Sequence, residues 1–382
     1  MAGTGRSVQA PGSARSVLLP LVLLFLLATA CRGTDRRQAE TLPGDDHAAL
    51  DVMDSVHVDL TGAGASLPYP LYARWFNEYA QVANLRINYL SVGSGEGMAR
   101  VSRGAVDFGA TDVPMTDTEL ASTGRRLRHI PTVIGAVAVT YRLPGVTRPL
   151  RLTGPLIADI FLGRVRRWRD PRLLAINPDL TLPDTTITVV HRTDASGTSF
   201  IFSDYLSAVS PDWQRGPGRG RLVAWPVGVG AEGTESAAAR IRQTVGAIGY
   251  VEVGTARLLR LPTAHLQNRA GRFISPMPYE MASAATAVLE KRTAAVAGGS
   301  ADFRVSLVDA PGAASYPLTS LTWLLVDPDA LGPVRTRQLA DFLRWAFFEA
   351  GEIASSLGYV PLPMALSQQV LEQLDARATG TR

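Results

Sequence analysis

The chain has 382 residues, of which 46% are hydrophobic and 19% charged, with a formal net charge of +4. Such a composition excludes a disordered chain, and the length leaves room for two sizeable apolar cores. So small a net charge argues against nucleic acid as a partner: the basic residues are scattered, and Lys291 is the only lysine.

The N-terminus reads as a targeting segment. Arg6 and Arg15 precede an apolar stretch at residues 17–27 that ends in Ala28-Thr29-Ala30. A positive start, a short apolar centre and small residues at its end mark residues 1–30 as a signal peptide, too short to span a bilayer comfortably. Its removal takes two arginines and leaves 4 − 2 = +2. Cys31 follows at once and is the only cysteine, so no disulfide can close within the chain. A lone cysteine there resembles the lipobox of bacterial lipoproteins and implies a diacylated anchor outside the membrane, since two acyl chains hold where one is marginal. The A-x-A pattern also satisfies ordinary secretion, with cleavage at the same bond. Polar, acidic residues 31–55 read as a flexible tether.

From residue 56 short apolar runs alternate with amphipathic stretches, the pattern of an α/β fold. Residues 56–60 predict a strand. Residues 68–80 predict a helix whose inward face is Leu71, Tyr72, Trp75, Phe76 and Tyr79. A strand at 86–91, a short helix at 96–102 and a strand at 106–111 follow. Residues 130–141 form a long β-rich run, 152–162 a helix, 187–191 a strand and 199–207 a helix. A helix at 235–244 leads through Gly246 to a strand at 247–252. Residues 318–326 are strongly β, and 335–350 form a helix. The Pro- and Gly-rich residues 214–221 read as a loop.

One pattern recurs three times: a strand, a turn rich in Gly, Ser and Thr, then a helix start. The instances are TGAGASLP at residues 61–68, GSGEG at 93–97 and RTDASGTS at 192–199. A helix N-terminus leaves N–H groups without intrahelical partners and carries partial positive charge. Glycine lets an anion approach that backbone, and Ser or Thr adds a hydroxyl donor. Singly each turn is an ordinary helix cap. Three together, one beside Arg192, point to a site for a tetrahedral oxyanion. Nucleotide motifs fail: no G-x-x-x-x-G-K-[ST] occurs, and neither Gly62-Ala63-Gly64 nor Gly93-Ser94-Gly95 continues to the glycine that G-x-G-x-x-G requires. Asp112 sits in VDFGATDVP (residues 106–114), where a strand ends and a proline blocks helical continuation. Its carboxylate can accept a ligand hydrogen bond or cap the turn at 116–120.

The segments TGAGASLPYPLYARW, SVGSGEG, VDFGATDVPM, PTVIGAV, HRTDASGTSFIFSDYL and GAIGYVE, in this order, closely resemble the phosphate-specific periplasmic binding proteins of ABC phosphate importers, the PstS family. The resemblance runs over residues 60–361. It implies a two-lobed type II binding-protein fold, each lobe a mixed sheet flanked by helices. Lobe I would comprise residues 56–135 and 319–376, and lobe II residues 136–318. Carried over by motif, the implied phosphate contacts are Ser66 and the N–H of Leu67, Ser94, Arg192, Ser196, Gly197 and Thr198. Asp194 pairs with Arg192 and holds its donor fork. Asp112 accepts the proton that phosphate carries and repels sulfate, which has none. No cofactor or metal is implied. The implied partners are inorganic phosphate, the permease subunits of an ABC transporter, and the membrane through Cys31; none is nucleic acid.

Four positions depart from the family pattern. Leu67 stands where an aromatic is common, Ala195 replaces a glycine, and His191 occupies a position often held by Arg. Glu96 replaces a small residue: facing the cleft it would repel phosphate, facing outward it would favour the helix start, and the second orientation is expected. A secreted hydrolase is the rival class, but the five histidines form no constellation, and neither G-x-S-x-G nor H-E-x-x-H occurs. His191 and Asp194 near Ser196 fit an anion loop better than a triad. A phosphate sensor that meets no transporter is a further alternative.

Overall fold

Short β-branched and aromatic runs that alternate with amphipathic stretches fold, in this computed structural model, into strands separated by helices; residues 60–293 and 302–378 are described. The expected signal peptide and tether, Cys31 and residues 56–59 of the first expected strand lie outside them. The strands in chain order are β1 (Leu60–Gly64), β2 (Ile87–Ser91), β3 (Phe108–Thr111), β4 (Arg128–Tyr141), β5 (Arg151–Leu152), β6 (Thr188–Arg192), β7 (Val229–Ala231), β8 (Ala247–Glu252), β9 (His265–Gln267), β10 (Phe273–Ile274) and β11 (Thr319–Val326). Eight of them make one sheet in the order β2-β1-β3-β11-β4-β8-β6-β7, and β10-β9-β5 make a small second one.

The large sheet has two halves. In the first, β1 runs parallel to β2 and β3, and β11 lies antiparallel between β3 and β4. In the second, β6 runs parallel to β7 and β8, and β8 is antiparallel to β4. Both halves are thus mixed, and β4 belongs to each. Its residues Arg128 to Ala136 pair with β11, and Val137 to Tyr141 pair with β8. Pairing on successive stretches explains why all but its first residue are buried, and why it reads as a continuous apolar run instead of alternating.

Helices cover both halves. On the first, Tyr69–Ala83 buries Leu71, Tyr72, Trp75, Phe76 and Tyr79, the expected inward face. Phe76 and Tyr79 meet Phe342 of the helix Pro333–Phe348 at ring separations of 5.2 and 5.3 Å. On the second, Phe202 of the helix Gly197–Val209 packs on Tyr250 of β8 at 4.5 Å and on Phe161 at 4.7 Å.

Two local expectations need correction. Residues 61–64 are strand, not turn, and the chain turns at residues 65–68. The glycines serve close packing. A Cβ on Gly62 would stand 2.1 Å from the Phe108 ring, and one on Gly64, at φ +147°, would stand 2.1 Å from the Ala110 carbonyl oxygen. Residues 214 and 215 close a helix, Pro211–Arg215, instead of opening a loop. Pro211 leads that helix, and Ser210 caps it by accepting from the Trp213 N–H at 3.2 Å.

Gly64→Ala is therefore expected to cost on the order of 3 kcal/mol, because the neighbouring backbone cannot yield and the torsion suits only glycine. A urea titration should show the lower midpoint with an unchanged slope.

Candidate functional site

The carboxyl ends of β1, β3, β6 and β8 meet at the junction of the two half-sheets. After β1 comes the turn with Ser66 and Leu67. After β3 comes Asp112. After β6 come Asp194, Ser196, Gly197 and Thr198, Arg192 being the last residue of the strand itself, and Glu252 ends β8. Helices begin at Tyr69, Ser94, Gly197 and Gly233, so helix N-termini point into the same region.

The second and third glycine turns touch. The Gly95 N–H donates to the Ala195 carbonyl at 3.0 Å. A Cβ on Gly197 would come within 2.3 Å of Ser94 Oγ and 2.9 Å of Asp112 Oδ2, so only glycine fits. The Asp112 N–H donates to Ser94 Oγ at 3.3 Å. Ser196 caps its helix by accepting from the Ser199 N–H at 3.2 Å. The first turn joins through Ser66, whose hydroxyl donates to Glu252 Oε1 at 2.7 Å, as does that of Thr198 at 2.7 Å. Leu67 is fully buried, its side chain against Gly135 of β4 and its carbonyl accepting from the Tyr359 hydroxyl at 2.7 Å.

Ser66, Leu67, Ser94, Asp112, Arg192, Ser196, Gly197 and Thr198 are all buried, and Asp194 is half-buried. Beside them lies a cleft of about 1110 Å³. Ser66, Arg192 and Asp194 line that cleft; Leu67, Ser94, Asp112, Ser196, Gly197 and Thr198 are buried and do not line it.

Arg192 is the cation of the cluster. Its Nε and one terminal nitrogen donate to Asp194 at 2.7 and 2.5 Å, and the other terminal nitrogen donates to Thr234 Oγ1 at 2.8 Å. Asp194 also accepts from the Gly233 N–H at 3.0 Å. Burial works against the Asp194 charge, but the bonds and charge of Arg192 hold its carboxyl below the usual carboxylate range. Asp112 differs: burial pushes it up to about 7, although the Thr322 hydroxyl donates to Oδ1 at 2.6 Å. Its Oδ2 is buried without a hydrogen-bond partner.

Glu96 pairs with Arg100 one helical turn on at 2.8 Å and with Arg103 at 3.5 Å. The bond from Arg100 holds its carboxyl below the usual range, and Glu96 is among the residues that line the cleft. His191 stacks on Trp225 at 5.3 Å. Among the described residues no group of three His, Cys, Asp or Glu side chains is placed to hold a metal. Three residues of the cluster, Thr234, Glu252 and Thr322, were not singled out in the sequence. Glu252 alone carried a signal, as the one charge closing an otherwise apolar strand at 247–252.

Comparisons with known proteins place the chain among relatives of known family and fold. A family model described as the PBP superfamily domain matches residues 34–349. The phosphate-binding protein PstS of Xylella fastidiosa (strain 9a5c) is 37% identical over 345 residues, 90% of this chain and 92% of that one. The protein of the same name from Pasteurella multocida is 40% identical over 316 residues, 82% and 89% of the two chains. Among solved structures, the phosphate binding protein of Stenotrophomonas maltophilia superposes with a TM-score of 0.63 at 19% identity, covering 82% of this chain and 93% of its own. A phosphate-bound periplasmic phosphate-binding protein, PfluDING, gives 0.61 at 21% identity over 82% and 92%.

The raised Asp112 carboxyl predicts a pH dependence of stability. Between its ordinary value of 3.8 and about 7 the folded chain binds more protons than the unfolded one, so stability falls as pH rises through that window and then levels off. The contribution is on the order of 4 kcal/mol. Asp112→Asn should remove this slope from denaturant titrations made between pH 4 and 8.

Proposed function

The chain belongs to the PBP superfamily and, within it, to the PstS phosphate-binding proteins; from that membership we infer that it is an extracytoplasmic receptor that binds inorganic phosphate and delivers it to an ABC importer. The observation that carries this reading is the convergence of Ser66, Ser94, Asp112, Arg192 and Ser196 at one buried junction.

Helix N-termini, hydroxyls and one guanidinium suit a small oxyanion. We assign the phosphate contacts to Ser66, Leu67, Ser94, Arg192, Ser196, Gly197 and Thr198, with Asp194 holding Arg192 in place. Asp112 takes the role of proton detector. Its unpartnered Oδ2 accepts from a ligand that carries a hydrogen and meets sulfate with a lone pair and a like charge. The lobes are residues 56–135 with 319–376, and residues 136–318, hinged where β4 and β11 pair at Ala136 and Thr319. Hinge closure on the ligand would offer the transporter one closed shape to recognise. The ion pair of Arg221 with Glu119 spans those lobes, and the Arg221 carbonyl accepts from the Ser196 N–H at 3.0 Å, so closure and the anion turn are linked.

Binding without catalysis fits the side chains better than hydrolysis. The Ser196 hydroxyl is engaged as a helix cap, and His191 lies on Trp225 with no bond to it. Secretion with a lipid anchor at Cys31 rests on the N-terminal sequence, and among the described residues no helix is long and apolar enough to cross a membrane.

Calorimetry on the chain truncated before residue 51 should show phosphate binding and, at pH 8, sulfate binding weaker by ~10⁴ or more. Discrimination should shrink toward pH 6, because below about 7 Asp112 takes a proton and can donate to sulfate. Equal affinity for the two anions at pH 8 would remove Asp112 from its role. Cys31→Ser should move the protein from the membrane to the soluble fraction, and unchanged fractionation would rule out lipidation.

A further inference from the structure

The short helix Asp117–Ser122 is capped from both sides of its first turn. The Glu119 N–H donates to Thr116 Oγ1 at 3.2 Å, and Glu119 Oε2 accepts from the Thr116 N–H at 2.8 Å. That box uses one carboxylate oxygen; the other, Oε1, accepts from Arg221. Just before the helix the Met115 N–H donates to His129 Nε2 of β4 at 2.9 Å. Glu119 is thus fixed to the half of the molecule that carries Asp112.

Arg221 is fixed to the other half through its backbone. Its carbonyl accepts from the Ser196 N–H at 3.0 Å, and beside it the Gly220 N–H donates to Ser203 Oγ at 3.1 Å. Arg219 pairs with Asp204 at 3.2 Å. Residues 219–221 therefore ride with the helix Gly197–Val209 and with Ser196, its cap. Both Glu119 and Arg221 are half-buried, and both line the cleft together with Ser66, Arg192 and Asp194. An ion pair whose ends belong to different halves forms only while those halves stand together. It stabilises the closed arrangement and contributes nothing to an open one, so its rupture lies on the way out of the site.

We propose that Glu119 and Arg221 form a latch across the cleft and are positioning residues for phosphate release: the pair sets how long the closed lobes hold the anion, without touching it. The inference rests on the phosphate reading and on the lobes assigned above. A second anion contact is the rival role for Arg221. Its guanidinium is committed to a carboxylate, however, and that carboxylate would itself repel an incoming anion. A latch needs both charges; an anion contact needs only the cation.

The test reads the release rate by diluting the full chain, loaded with radiolabelled phosphate, into excess unlabelled phosphate. Equilibrium dialysis gives Kd, and the ratio of the two gives the association rate constant. Glu119→Gln keeps the helix cap, since its amide oxygen still accepts from the Thr116 N–H, but leaves Arg221 without a carboxylate. Release from Glu119→Gln and from Arg221→Gln should quicken about fivefold, with Kd raised by the same factor and association unchanged. The two substitutions combined should do no more than either alone, because each removes the same pair. If Arg221 served phosphate directly, Glu119→Gln would free a cation and slow release, so slower release from that variant overturns the proposal. Release at the wild-type rate from both variants overturns it too, as does a double variant whose effect is the product of the single ones. A wild-type chain that binds no phosphate refutes the phosphate reading itself, a result distinct from binding with an unchanged release rate.

Discussion

Arg192 is the constraint from which the site follows. Its side chain is 3% exposed, and a guanidinium taken that far out of water costs several kcal/mol unless its donors are met. Asp194 meets two of them in parallel from two residues further on, which forces the chain after β6 into a tight turn. That turn delivers Ser196, Gly197 and Thr198 to the start of the next helix. Thr234 meets a third donor and brings in the helix Gly233–Gln243. The charge that an anion would seek is thus held in place by the same bonds that shape the loop around it.

The second constraint is β4. Because its first part pairs with β11 and its last part with β8, one strand fixes the angle between the half-sheets while leaving a seam between them. Parallel strands on either side present their carboxyl ends to that seam, the general location for ligands in open α/β sheets. Gly95, Gly97 and Gly197 allow the backbones to close over it: a Cβ on Gly95 would meet that of Ala195 at 2.4 Å, and one on Gly97 would stand 2.4 Å from the Gly64 Cα. Bulkier residues at Gly95 or Gly197 would hold the two halves apart, and one at Gly97 would push its helix off β1.

Carboxylates dominate the chemistry at the seam. Asp194 is kept ionised by a partner, whereas Asp112 is driven toward its neutral form by burial. Two acids in one site with environments of opposite effect can play opposite roles, one stabilising a cation and the other answering to a proton. Glu252, wholly enclosed, organises hydroxyls instead of facing the cleft.

The α/β class, the inward face of the first helix and the three glycine-rich helix starts were legible in the sequence, because periodicity and turn chemistry are local and each residue type acts through its own backbone. Local reading also misled where a glycine served packing: Gly62 and Gly64 look like a turn but lie extended against Phe108 and Ala110, partners some 46 residues away. Nothing local could place Thr322 beside Asp112, Thr234 beside Arg192 or Glu252 beneath Ser66, for those pairs are separated by 210, 42 and 186 positions. The sequence by itself determined which backbone turns could receive an anion. Only the tertiary structure decided which acid is paired, which is driven toward neutrality by burial and which holds the hydroxyls, because desolvation and Coulomb interaction depend on distance in space and not along the chain.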